Sequence, residues 1–195
     1  MSIWISGVGV CAPGLPDWPT GRSVLAGLQP YHGDKVPHFD RVRLPRNEAR
    51  RATPTVRLAL QAADEALDAA GLDARRCGAV FACAGGNTEA LEALCLALLE
   101  PEPALSPGQF NHSVHNAPLG YWSIATGSMR PAISVGAFDA TFAAGLLEAV
   151  ALARLDRQPV LLVAYDTPPP LALRPFRSVA VAFGVALLLT PCLLY

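Results

Sequence analysis

The chain has 195 residues, is 52% hydrophobic and only 16% charged, and carries a net charge of -1. That balance gives no electrostatic footing for nucleic acid or an acidic membrane surface. The length suits one domain, 1–195, with a real core, and so few charges leave more apolar surface than a small domain hides alone. The start, Met-Ser-Ile-Trp-Ile-Ser-Gly, lacks a basic n-region, so no secretory signal is expected. Cys11, Cys77, Cys83, Cys95 and Cys192 are odd in number and lack metal-ligand spacing. They read as reduced thiols of a cytosolic protein, with no metal and no cofactor.

Ser2–Val10 reads as a first strand, apolar on both faces through Ile3, Trp4, Ile5 and Val8, as in a central strand covered by helices. Gly7-Val-Gly9-Val-Cys-Ala12 formally matches a dinucleotide fingerprint, but Pro13-Gly14 follows and no helix opens, so a strand running into a loop is expected. Trp18–Leu28 suggests a short helix. Residues 30–48 read as a loop, and Arg41, Arg43, Arg46, Arg50 and Arg51, in it and just after it, make a basic cluster read as a solvated face. Thr53-Pro54 is an N-cap and N1 pair. The helix after it has Val56, Leu60, Ala63, Leu67 and Ala70 on one face, Asp64, Glu65 and Asp68 outward, and Gly71 as its stop. Cys77–Ala84 is a buried strand ending at Gly85-Gly86, and Asn87 caps a helix striped with Leu91, Leu94, Cys95 and Leu98. Residues 106–116 read as a loop, and Pro118–Thr126 as a helix.

Residues 131–154 read as strand, tight turn and helix. Ile133 and Val135 are β-branched, Gly136 and Ala137 are small, and Asp139 is placed as N-cap. Phe142, Leu146, Ala149, Val150 and Ala153 then form an apolar stripe. Pro159–Tyr165 is an all-apolar strand, residues 167–175 a proline-rich loop. The apolar run from Val179 to Leu189 is too short for a span and reads as a doubly buried strand. Strands alternating with helices imply an α/β fold with a mainly parallel five-stranded sheet. Two candidate nucleophiles stand out. Cys83 has apolar neighbours and reads as core, and a Ser113/His115 pair at i, i+2 would support a small stand-alone acyl hydrolase or transferase.

The strand–turn–helix resembles the nucleophile elbow of the β-ketoacyl synthases of the thiolase superfamily. First strand with glycines, helix after Thr53-Pro54, strand into Gly85-Gly86, Asn116-Ala-Pro-Leu-Gly120, elbow and Arg174-Pro175-Phe176 follow in the family's order. The resemblance implies the N-terminal half of a thiolase-like layered fold. It also puts the nucleophile position on Asp139, or on Phe138 one residue earlier, and neither is a thiol. Arg177 stands where the family has an aspartate, and the family's paired histidines belong to a second half beyond this stretch. The resemblance thus points to a non-catalytic chain-length-factor-like subunit, as in aryl polyene or type II polyketide systems, serving polyketide or fatty-acid-type chain elongation. Its implied partners are a full-length ketosynthase, in a heterodimer, and indirectly an acyl carrier protein. The elbow strand pairs across the dimer axis in this superfamily, so Ile133 and Val135 are assigned to the interface, with His115, Asn116 and Pro118 beside them. Trp122, Phe138 and Phe142 are either walls of the acyl tunnel or ordinary core aromatics.

Overall fold

A computed structural model of the protein describes residues 2–33 and 43–192; Arg41 of the basic cluster lies outside the described residues. Its strands are β1 (Ile3–Cys11), β2 (Gly78–Ala82), β3 (Ala132–Val135), β4 (Val160–Asp166) and β5 (Phe183–Pro191). Its helices are α1 (Trp18–Leu25), α2 (Arg46–Arg51), α3 (Pro54–Ala70), α4 (Thr88–Ala97), α5 (Pro107–Ser113), α6 (Ala117–Thr126) and α7 (Thr141–Leu155). The five strands form one sheet in the order β1-β5-β4-β2-β3.

The α/β class and the five strands are as the sequence implies, but the sheet is mixed. β4, β2 and β3 run parallel, while β5 is antiparallel to β4 and β1 antiparallel to β5. The physical reason lies in the connection. A parallel return needs a crossover element, and between β4 and β5 the proline-rich chain makes only one 3-10 turn, at Leu171–Leu173. β1 is therefore an edge strand, not a central one, and Trp4 and Ile5 lie exposed.

Alternation along the strands sorts side chains into two cores. Phe81, Leu161, Val163, Tyr165 and Leu188 face α3 and α6. Val80, Ala82, Leu162, Ala164 and Leu189 face α7. Gly7 and Gly9 lie inside β1, directly under α3: a Cβ on either would sit 2.1 Å from the carbonyl oxygen of Ala66 or Ala62. Close helix-on-strand packing accounts for this glycine pair, and no dinucleotide loop is formed.

α7 meets the sheet through the small stripe Thr141, Gly145, Ala149 and Ala153. At Gly145 a Cβ would come within 2.7 Å of the Ala82 methyl. Of the expected stripe, Ala149 and Ala153 are buried and Leu146 and Val150 pack against the same core, while Phe142 is left out because close approach puts Thr141 and Gly145 on the inner side. Phe142 is 47% exposed and Leu147 71% exposed on the outer side of the helix.

α3 begins and ends as its sequence implies. Thr53 accepts from the Val56 N–H, and Gly71 closes the helix in the left-handed region at φ 61°. Its acidic face does not all point outward, however. Asp64 and Glu65 are buried, and Glu65 accepts from the backbone N–H groups of Val10 (2.8 Å) and Trp18 (2.7 Å). One carboxylate thereby ties the end of β1 and the start of α1 to α3. Residues 106–116 are not a continuous loop: Ser106 caps α5 by accepting from the Gln109 N–H, with Pro107 in its first turn.

Candidate functional site

Parallel strands gather their carboxyl ends at one edge of the sheet, where open α/β folds hold ligands. Here that edge carries the loop after β2, the end of β4 and the turn after β3. Asp166, at the end of β4, accepts from the N–H groups of Ala84 (3.2 Å) and Gly85 (3.1 Å), and the Cys83 thiol donates to it at 3.3 Å. Burial, and then the Asp166 charge, push that thiol up to about 12. Cys83 therefore stays protonated and unreactive at neutral pH, in keeping with core packing.

His115 does not pair with Ser113. Its Nε2 lies 2.7 Å from the carbonyl oxygen of Cys83, which can only accept, so Nε2 carries the proton. Nδ1 then accepts from the Ser134 hydroxyl at 2.9 Å in the neutral ring. Gly136 makes room for this imidazole, since a Cβ there would stand 3.1 Å from Nε2. Ser113 sits at the end of α5 and donates to the Phe110 carbonyl at 2.8 Å. The expected dyad is not assembled, because Ser113 closes α5 and turns its hydroxyl back to Phe110, while His115 lies beyond the helix end. The imidazole instead braces the loop after β2 against β3, and its ring nitrogens bond to a carbonyl and a hydroxyl rather than to a carboxylate.

The turn between β3 and α7 holds Phe138 at φ 51°, in the left-handed region, where a bulky side chain is a true outlier. A strained residue between a strand and a helix is the geometry that exposes a nucleophile at an elbow. Thr141 fixes the turn: its Oγ1 accepts from the Ala137 N–H at 2.9 Å and donates to the Phe138 carbonyl at 2.6 Å. Asp139 is not the N-cap expected of it: that position falls on Ala140, which has no side-chain cap, and Thr141 opens α7. The Asp139 carboxylate points into solvent and accepts from Arg177 at 3.1 Å. The same guanidinium lies over the Phe138 ring, 4.4 Å from its centroid. No thiol stands in this turn.

β3 forms one edge of the sheet. The carbonyls of Pro131 and Val135 accept from Ala79 and Cys83 of the β2 segment, at 3.0 and 3.1 Å. By the two-residue period, the N–H and C=O of Ala132 and Ser134 point away from β2. Ile133 and Val135 are half-buried and Asn116 is exposed. Pro118 is buried on α6, and Trp122 is 1% exposed with its ring 5.9 Å from that of Phe81. Trp122 is therefore a core aromatic and offers no wall to a partner, whereas Phe138 and Phe142 are surface-accessible. Beside Asn116, a groove of about 560 Å³ runs between α2, α5 and α6, with His112 stacked on Tyr121 at 5.3 Å. Among the described residues no group of three or more acidic, His or Cys side chains could hold a metal ion, and no helix is long and apolar enough to cross a membrane.

The mixed sheet, the helix on each face and the strained strand–helix turn define a thiolase-like layered fold of the ketosynthase kind. The chain belongs to the β-ketoacyl synthase N-terminal domain family, which it matches over residues 27–193. No curated protein matches the sequence. Among solved structures it is similar to a ketosynthase (ApeO) in complex with its chain length factor (ApeC) from Xenorhabdus doucetiae. That match has 26% identity and a TM-score of 0.80, and covers 97% of this chain and 79% of that one. The ishigamide ketosynthase/chain length factor matches at 19% identity and TM-score 0.79, covering 100% of this chain and 63% of that one. A β-ketoacyl synthase from Burkholderia phymatum STM815 matches at 13% identity and TM-score 0.77, covering 96% and 58%. The chain thus spans under two thirds of the last two, and the likeness to both is one of fold.

Proposed function

We propose that this chain is a non-catalytic, chain-length-factor-like subunit that pairs with a full-length ketosynthase in polyketide assembly of the aryl polyene kind. The observation that carries the reading is Phe138. It takes the strained position of the strand–helix turn, and this reading assigns to it, rather than to Asp139, the place where a condensing enzyme keeps its nucleophilic cysteine. Decarboxylative condensation needs a thiolate to carry the acyl chain as a transferable thioester, and a benzyl side chain cannot do so. The remaining thiol at this edge, Cys83, is held protonated.

Two surfaces support pairing. The backbone edge at Ala132 and Ser134 is free to continue the sheet into a second chain. Beside it, Phe138, Phe142 and Leu147 expose apolar area on the turn and on α7, of the kind that marks an interface. In this reading His115 stiffens the edge by bracing β3, Asn116 lies at its rim, and Phe138 and Phe142 close the end of the partner's acyl tunnel. An acyl carrier protein meets the pair through the ketosynthase.

Co-expression with a full-length ketosynthase tests the proposal. A stable 1:1 complex is expected, with condensation lost when the ketosynthase cysteine is replaced and retained when Cys83 of this chain is. Turnover of malonyl thioester by this chain alone would overturn it.

A further inference from the structure

Arg177 makes the contacts at the elbow that the sequence pattern does not explain. It follows the Arg174-Pro175-Phe176 stretch, at the site where the resemblance leads one to expect an acidic residue, and its side chain is only 18% exposed. It reaches back 38 residues to the turn before α7. Its Nη1 donates to Asp139 and its guanidinium plane covers Phe138. The two unusual elbow residues and the unusual cation therefore form one cluster, Phe138–Arg177–Asp139.

From this geometry we infer that Arg177 is a positioning residue that clamps Phe138 in its strained conformation, and so sets how far an acyl chain can extend. The inference rests on the proposed role of Phe138 as a tunnel wall. A ring on a left-handed residue keeps its place only when its surroundings over-determine it. Thr141 fixes the backbone from one side, but hydrogen bonds to the backbone leave the ring free to swing about χ1. The guanidinium supplies the missing constraint. Its Cζ lies over the ring face, where the quadrupole attracts a cation, and its Nη1 is held by the neighbouring Asp139 carboxylate, so a swing of the ring has to break the cation–ring contact. Lysine has no planar group to stack and would hold the ring less well. Phe142, one helical turn on and exposed, makes no ion pair or ring contact with any of the three members of the cluster, so its effects are separable.

A double-mutant cycle on the full chain, with Arg177→Leu, Phe138→Leu and the pair, tests the clamp. The cycle is read by urea unfolding and by the ring-current shift of the Arg177 side-chain protons in arginine-labelled protein. Expected are an upfield shift that disappears in Phe138→Leu and a coupling of about two- to fivefold in the unfolding constant. An unshifted Arg177 together with additive unfolding effects overturns the clamp. In the co-expressed pair, Arg177→Leu should change product length in the same direction as Phe138→Ala, have no added effect in the double variant, and be partly restored by Arg177→Lys. Products altered by Phe138→Ala but not by Arg177→Leu overturn the role of Arg177 alone. Products unchanged by either, with the coupling present, overturn the tunnel-wall reading of Phe138 on which this inference rests.

Discussion

Replacing Ala132 by proline separates the stability of this chain from its ability to pair. Ala132 opens β3, and its N–H points away from β2, since the neighbouring Pro131 carbonyl faces the sheet. Proline removes an N–H that none of the described residues uses, and it is tolerated on an edge strand. Unfolding of the isolated chain should therefore change by less than about 0.5 kcal/mol. Across an intermolecular ladder the same substitution removes one donor, and its ring obstructs the adjoining acceptor. Two ladder bonds at about 0.5–1.5 kcal/mol each give about 1–3 kcal/mol, a loss of roughly 5- to 150-fold in affinity for the ketosynthase. Sedimentation or surface-binding titration against the purified ketosynthase measures it, with a thermal melt of the variant alone as control. Undiminished affinity in a normally folded variant would remove β3 from the interface and refute the pairing geometry.

Glu65→Ala leaves the N–H groups of Val10 and Trp18 without their carboxylate; at about 1–3 kcal/mol for each stranded donor, a loss of about 2–6 kcal/mol is expected in urea unfolding. Gly9→Val drives a side chain into the Ala62 carbonyl and should cost more than about 3 kcal/mol or abolish soluble expression; a stable variant would disprove the close packing of α3 on β1. Burial raises the Asp64 carboxyl to about 6, an effect that the Arg43 N–H and charge partly oppose and the Asp68 charge reinforces. Between about pH 4 and 6 the folded chain thus keeps a proton that the unfolded chain has released, and stability falls as pH rises through that window. Asp64→Asn should abolish that slope, on the order of 3 kcal/mol in total, and an unchanged pH profile would contradict the raised value. Iodoacetamide at pH 8 should modify the exposed Cys95 in the folded chain and reach Cys83 only on unfolding; mass spectrometry of the digest distinguishes the two.

The local code for the elements was legible. Thr53, Asn87 and Gly71 carry capping chemistry that needs no tertiary information, and each caps as its type dictates. The family was legible from the order of its segments. Tertiary features were not. The run Ile3-Trp4-Ile5 signals burial on both faces, but nothing local says that β1 lies at an edge. The depth of α7 is set by the Gly145–Ala82 contact, which leaves Phe142 and Leu147 on the outer side of the helix. The adjacent acids Asp64 and Glu65 look solvated until Arg43 is placed against the first, and the end of β1 and the start of α1 against the second. Ser113 and His115 are neighbours in sequence, yet a helix end directs one hydroxyl to Phe110 and frees the imidazole for Ser134, 19 residues on. Arg177 was visible as a departure from the family pattern, and its contact with Phe138 depends on a turn and a loop meeting across 39 positions of chain, which spacing alone does not reveal.

Backbone amide exchange in the segment from Pro131 to Ala137, followed with and without the ketosynthase, addresses the pairing of this edge most directly. The N–H groups of Ala132 and Ser134 should exchange freely in the chain alone and slow by at least about tenfold in the complex, as ladder bonds close over them. Protection of some other surface, with these two amides exchanging as fast as before, would contradict the account.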